Sequence, residues 1–229
     1  LDQRQTGEVI LVEDASPDGA LAICERLAVE EDRVKLLRHP NGENRGAGAS
    51  RNLGIEHASC DLVAFLDADD YYLPGRFDTA MRILEADETI DGVYDAVGVS
   101  FECDDAAQWY SSYKPAGAQL MTFSRRVEPE QLFEGLLVDC LGEFHTNGVV
   151  VRRELFRRCG LFPAELRMCQ DTALWVKMSL TGRLAAGQLD APVAIQRIHG
   201  QNRIVQQRVE HRHYGYLCMQ IGRASCRER

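Results

Sequence analysis

Leu62-Val63-Ala64-Phe65-Leu66-Asp67-Ala68-Asp69-Asp70 is the stretch on which the fold turns. Its first five residues form an apolar run rich in β-formers and bounded by polar residues, the pattern of a buried strand. Three carboxylates then crowd the strand's carboxyl end. Acids placed there repel one another and lose hydration, which is costly unless something positive sits between them. A divalent cation with oxygen ligands suits the position, and a metal so held commonly grips a diphosphate. The same cluster equally suits an acidic turn that caps the following helix.

Working outward, residues 9–12 and 34–37 read as two further buried strands, and residues 20–30, 46–58 and 74–86 as helices, the last with Pro74 near its first position. The resulting β-α-β-α-β order implies a parallel sheet with right-handed crossovers. Ligands of such sheets gather at the carboxyl ends of the strands. Glu13 and Asp14 end one strand, and Asp67 and Asp69 follow another, so the four belong to one expected site. Beyond residue 90 the pattern is less regular. A strand is expected at 93–99, a polar loop with aromatics at 104–117, a helix at 129–141 and a strand at 148–151. A short helix follows at 154–159, closed by Gly160, then a helix at 171–180 and a strand at 192–198. Residues 201–220 are polar with some helical character. Neither a repeat nor a linker interrupts the chain, so a single α/β domain is expected.

Composition narrows the function. The 229 residues suffice for one sizeable core, and the net charge of −9 argues against a general nucleic-acid binder or an anionic membrane surface as main partner. No apolar stretch is long enough to span a bilayer. The eight cysteines are scattered with no Cys-x-x-Cys pair, which argues against zinc. Reduced core thiols and a cytoplasmic setting fit that scatter.

Taken in order, five blocks resemble family 2 glycosyltransferases of the GT-A fold. They are Val9-Ile-Leu-Val-Glu-Asp-Ala-Ser-Pro-Asp-Gly19, Asn44-Arg-Gly-Ala-Gly-Ala-Ser-Arg-Asn-Leu-Gly54, Phe65-Leu-Asp-Ala-Asp-Asp70 with Leu73-Pro74, Cys169-Gln-Asp-Thr-Ala-Leu-Trp-Val-Lys177, and Arg197-Ile-His-Gly-Gln-Asn202. Together they cover roughly residues 8–202. The resemblance implies a Rossmann-like, mostly parallel sheet flanked by helices, with a nucleotide-binding half over about 1–100 and an acceptor half over about 101–220. It implies an inverting hexosyl transfer from a nucleotide-sugar donor, commonly UDP-linked, to the hydroxyl of a carbohydrate or lipid-linked acceptor, as in cell-envelope polysaccharide synthesis. Any membrane association would be peripheral, at the inner face. Asp67 and Asp69 match the DxD motif that holds Mn²⁺ or Mg²⁺, and His199 matches a histidine that closes over the metal. Glu13 and Asp14 match the acidic pair at the nucleoside, Arg51 an arginine near base or phosphate, and Asp171 the catalytic base. Residues 145–148 fall where the family places a loop near donor sugar and acceptor.

Each assignment has a plainer counterpart. Asp171 suits a helix cap, His199 an ordinary surface histidine, Arg51 a surface ion pair, and Glu13 and Asp14 a turn with Ser16. Trp109, Tyr110 and Tyr113 suit either a sugar platform or core packing. Two departures stand out. Gln170 replaces the first acid of the family's Glu-Asp pair. The family's opening strand is absent as well, which would make residues 1–7 the end of the helix after it. The expectation is therefore a fragment lacking its first strand, less stable than its parent and of reduced or no activity. Residues 221–229 look like a non-native tail. Two alternatives stand beside the transferase reading: an inactive nucleotide-sugar-binding fragment, and a metal-dependent nucleotidyltransferase or phosphohydrolase.

Overall fold

The computed structural model describes residues 3–113, 119–166, 168–200 and 202. The chain opens with β1 (Val9–Glu13), α1 (Ala20–Glu30), β2 (Val34–Arg38), α2 (Ala47–His57) and β3 (Leu62–Ala64). A two-residue strand β4 (Tyr71–Tyr72), helix α3 (Asp78–Ala86) and strands β5 (Gly92–Tyr94) and β6 (Val97–Phe101) follow. The rest comprises α4 (Asp104–Tyr113), β7 (Leu120–Met121), α5 (Leu132–Leu137), β8 (Val149–Arg152), α6 (Arg153–Cys159), α7 (Gln170–Thr181), β9 (Leu184–Ala186) and β10 (Ala194–Ile198). The strands form a two-stranded sheet β1-β2 and two four-stranded sheets, β3-β8-β5-β9 and β4-β10-β6-β7.

Strand β8 shows how the core is built. Its three valines are all buried, and the period of two sends them to opposite faces. Val149 and Val151 join Leu155, Leu174, Trp175 and Met178 on one side. Val150 joins Phe77, Ala80 and Leu84 on the other. The sheet is thus covered by α3 on one face and by α6 and α7 on the other. Fully burying each such side chain contributes about 1.5–3 kcal/mol.

An α/β architecture with sheets flanked by helices is as expected, and its strand pairing is mixed. Only β1-β2, β6-β10 and β5-β9 are parallel; β3-β8, β5-β8, β4-β10 and β6-β7 are antiparallel. Strand β1 pairs with β2, and β3 pairs with β8, so each has an edge without a strand partner among the described residues. The neighbouring surface is correspondingly open: α1 buries none of its residues, and Ile23, Val29 and Leu66 are exposed. Glu8 ties this edge down. Its Oε1 accepts the Ser59 and Cys60 N–H groups at 2.6 and 2.9 Å, and its Oε2 meets Lys35 Nζ at 2.7 Å.

Several element boundaries also differ. The expected strand 93–99 is two strands in two sheets, because the chain turns aside at Asp95, whose side chain is buried against Arg76. The expected loop 104–117 is the helix α4 over its first ten residues; Asp104 and Asp105 favour its first turn, and Ala106 and Tyr110 pack on Ile198. Tyr110 is therefore a core residue and not an exposed sugar platform. The helix expected at 74–86 begins at Asp78, since residues 73–76 form a turn closed by Arg76 N–H to Leu73 O at 3.2 Å. The helix expected at 129–141 is a 3₁₀ turn, Pro129–Gln131, followed by α5, which stops before Cys140 turns to a positive φ of 49°. Residues 3–7 are not helical; they form a turn closed by Thr6 N–H to Gln3 O at 3.1 Å. Cys159 and Cys169 are buried free thiols, whereas Cys103 and Cys140 are exposed. The expectations for 203–229 lie outside the described residues. Among the described residues, no helix is long and apolar enough to cross a membrane.

Candidate active site

The acidic turn follows β3 and doubles back on itself, with Asp70 N–H bonded to Asp67 O at 3.0 Å. Its three carboxylates face different partners. Asp67 Oδ1 meets Arg51 Nη2 of α2 at 2.5 Å. Asp69 Oδ2 lies 3.1 Å from His199 Nε2 and accepts from Asn202 Nδ2 at 2.9 Å. Asp70 Oδ1 accepts the Arg197 N–H at 2.8 Å, and its Oδ2 accepts from Asn147 Nδ2 at 2.6 Å. The three therefore draw together α2, the end of β10 and the 3₁₀ turn Thr146–Gly148 ahead of β8. Burial pushes the Asp70 carboxyl up to about 6; the Asp69 and Asp67 charges add to this, while the Arg197 N–H and Asn147 oppose it.

Among the described residues, ligand atoms of Asp67, Asp70 and His145 all lie within 4.8 Å of one another. Two carboxylate oxygens suit Mg²⁺ or Mn²⁺, and the imidazole nitrogen favours the softer Mn²⁺. The sequence-derived set overlaps this group in Asp67 alone, because Asp69 and His199 instead pair with each other at 3.1 Å.

Glu13 and Asp14 serve the local frame. Glu13 is buried; its carboxylate accepts the Ser16 N–H at 2.6 Å and meets Arg38 Nε at 2.9 Å. The Ser16 bond, against the opposing effect of burial and with help from Arg38, holds its carboxyl below the usual range. The Asp14 carboxylate accepts the N–H groups of Arg45 and Gly46 at 2.7 and 2.8 Å, where it favours the start of α2. The Nε2 of buried His39 faces both Ser50 Oγ at 3.2 Å and Asp14 Oδ1 at 3.6 Å.

Asp171 stands in the first turn of α7, and its Oδ1 accepts the Thr172 N–H at 2.8 Å. Two links bring this helix start beside α2. A Cβ on Gly48 would lie 3.3 Å from Gln170 Cγ, a close approach that glycine permits. The Asn52 side chain also pairs with both backbone groups of Phe162, whose ring lies under the Arg51 guanidinium at 5.5 Å. Gln170 is buried and donates to Leu166 O at 2.6 Å, a bond that an ionised glutamate could not donate.

The family resemblance places residues 145–148 in a loop near donor sugar and acceptor, but sequence reasoning gave neither Asn147 nor His145 a role of its own and passed over the buried pair Arg76–Asp95 beneath them. A signal was present: a polar His-Thr-Asn-Gly tetrad directly precedes an all-valine strand. A cavity of about 330 Å³ lined by Asp61, Arg152, Arg153, Glu154 and Arg157 lies at the opposite, amino end of β3. Its arginines are engaged internally: Arg152 by the Ile90 and Leu84 carbonyls, Arg153 by Ala58 O, and Arg157 by Glu154.

A helix-flanked α/β fold with acids gathered at the carboxyl ends of its strands places the candidate site where open α/β sheets bind their ligands. The model of Glycosyl transferase family 2 matches residues 1–155, so the chain belongs to that family. The uncharacterised glycosyltransferase EpsJ of Bacillus subtilis is 29% identical over 173 residues, covering 72% of this chain and 45% of EpsJ. YibD of Escherichia coli, also an uncharacterised glycosyltransferase, is 37% identical over 81 residues, covering 35% of this chain and 23% of YibD. The chain thus spans less than half the length of either relative. Among solved structures, S. aureus TarS 1-349 in complex with UDP-GlcNAc superposes with a TM-score of 0.66 at 18% identity, over 93% of this chain and 56% of that one. The mannosyltransferase PcManGT from Pyrobaculum calidifontis, in complex with GDP-Man and Mn²⁺, gives 0.53 at 22% identity, over 85% of this chain and 49% of that one. At such identities these likenesses establish the fold.

Proposed function

We propose that the chain transfers a sugar from a nucleotide-diphosphate donor, UDP-linked, to an acceptor hydroxyl on a carbohydrate or lipid-linked molecule, with inversion. The observation that carries this reading is the convergence of Asp67, Asp70 and His145 ligand atoms within 4.8 Å at the end of β3. The UDP, UDP-GlcNAc and GDP-Man complexes of the fold's relatives support a nucleotide-sugar donor, and the Mn²⁺ of PcManGT supports a divalent ion. Asp67 holds the ion in either ligand set, with Asp70 and His145 by geometry or with Asp69 and His199 by family resemblance. A divalent cation there neutralises charge on a departing diphosphate. Arg51, beside Asp67, adds a second positive group for phosphate or base. Glu13 and Asp14 shape the nucleoside end of the pocket through the β1 turn and the start of α2. Asp171 takes the proton of the incoming hydroxyl, its carboxylate oriented by the first turn of α7. Work on such donors and acceptors suits a cytoplasmic protein at most peripherally bound to the membrane.

The test is thermal melting with UDP, GDP, dTDP and CMP, each with and without Mn²⁺. Ligands that bind the native state raise the midpoint by mass action. A metal-dependent rise for UDP, lost in Asp67→Asn, is expected; no nucleotide response would sink the reading. Asp69→Asn and Asp70→Asn separate the two ligand sets, since only the true ligand's loss should abolish the Mn²⁺ dependence. Gln170 favours a second reading, a nucleotide-sugar-binding domain without transfer, in which the melting response survives but no sugar is moved.

A further inference from the structure

Beneath the acidic turn lies a buried ion pair that the proposed chemistry leaves unused. Arg76 and Asp95 are both fully buried, with Arg76 Nη1 3.0 Å from Asp95 Oδ2. The pair is well satisfied. Arg76 Nη2 donates to Val149 O at 3.3 Å, and its guanidinium lies over the Tyr72 and Phe77 rings at 5.3 and 5.1 Å, the two rings packing edge to face on each other. Asp95 Oδ1 accepts the Gln188 N–H at 2.7 Å. Two glycines make room: a Cβ on Gly187 would stand 2.1 Å from Asp95 Oδ1, and one on Gly148 would stand 2.4 Å from Asp95 O. Burying such a pair is costly, and apolar residues of the same volume would commonly serve stability as well or better. What the pair supplies and apolar packing cannot is a directed donor.

That donor is Arg76 Nε, which bonds Asn147 O at 3.0 Å. Asn147 is itself fully buried and spans the acidic turn with both ends of its amide. Its Oδ1 accepts the Asp67 N–H at 3.0 Å, and its Nδ2 donates to Asp70 Oδ2 at 2.6 Å. Tyr72, stacked on the same guanidinium, bonds Phe65 O at 2.7 Å and so steadies the strand end leading into the turn. The backbone of Asn147 is therefore fixed from below, while its side chain sets the spacing of two acids that repel each other.

We infer that Asn147, anchored by the Arg76–Asp95 pair, is a positioning residue that holds Asp67 and Asp70 at the separation a divalent cation requires. This rests on the proposal that the ion binds at this turn. Partners that orient metal ligands typically contribute 10–100-fold to metal affinity.

The experiment measures Mn²⁺ affinity in the presence of UDP, by the loss of the free-ion EPR signal. It compares the whole chain with Asn147→Ser, Asp70→Asn, the double variant and Asp67→Asn, each checked for a cooperative melt. Asn147→Ser should weaken Mn²⁺ binding by about 10–100-fold. The double variant should lose less than the product of the single losses, since Asn147 acts through Asp70. Near-native affinity in folded Asn147→Ser, or full additivity, would overturn the inference while Asp67→Asn still upholds the site. Failure of the unaltered chain to bind Mn²⁺ at all would overturn the site and the inference together. Should Asn147→Ser not fold, the unaltered protein still decides the matter. Its Asn147 side-chain amide NMR signal should move as Mg²⁺ is added with the midpoint of binding, and a stationary signal would overturn the inference.

Discussion

Arg51 Nη2 and Asp67 Oδ1 stand 2.5 Å apart, so the leading candidate metal ligand already holds a cation of the protein's own. The Arg51 side chain is more buried than that of Asp67, at 16% and 31% exposure. Such a pair stabilises the metal-free fold and competes with an arriving ion. Arg51→Met should cost about 1.5 kcal/mol of metal-free stability, the low end for a charged hydrogen bond because both groups still meet water. It should also enlarge the rise in melting point on adding Mn²⁺ alone. Equal Mn²⁺-induced shifts in both proteins would show that the pair does not compete with the ion.

The position of Asp171 predicts a separation of binding from turnover. Asp171→Asn keeps the shape of the first turn of α7 and an acceptor for the Thr172 N–H. The nucleotide- and Mn²⁺-dependent melting shift should therefore survive. Release of nucleotide diphosphate during transfer should fall by about 10²–10⁴-fold, the usual scale for a positioned base. Undiminished turnover would remove Asp171 from the mechanism.

The raised Asp70 carboxyl sets a pH dependence for the metal-free protein. Its folded value of about 6 lies above the ordinary 3.8, chiefly through burial, with Asp69 and Asp67 adding to the rise. Below about pH 4 both folded and unfolded chains hold the proton, and Asp70 imposes no penalty. Between pH 4 and 6 the unfolded chain releases its proton first, so stability falls as pH rises and levels off above about 6. With EDTA present, Asp70→Asn should flatten that fall in midpoint across pH 4–6. An unchanged slope in the variant would assign the titration elsewhere.

Much of the first part of the chain was legible in sequence. The β1-α1-β2-α2-β3 order follows from apolar periods and from turn residues close in the chain, so local patterning suffices to read it. The placement of Glu13, Asp14, Asp67 and Asp69 at strand ends was legible for the same reason. Arg51 beside Asp67 was less so, because their meeting depends on how α2 lies across β3. The second half resisted. Residues 93–99 read as one strand because apolar residues stand on both sides of Asp95, yet the chain turns aside there and is split between two sheets. Helix α4 escaped because its polar residues outnumber the Ala106 and Tyr110 that anchor it.

The sequence by itself determined that acids would collect at the carboxyl ends of buried strands, because hydrophobic period and strand termini are local properties. Only the tertiary structure decided what each acid does: Asp67 with Arg51, Asp69 with His199, and Asp70 with Asn147 over a buried Arg76–Asp95 pair. Neighbouring carboxylates on a turn point in different directions. Their partners come from helices, strands and turns far along the chain, and only packing fixes where those lie.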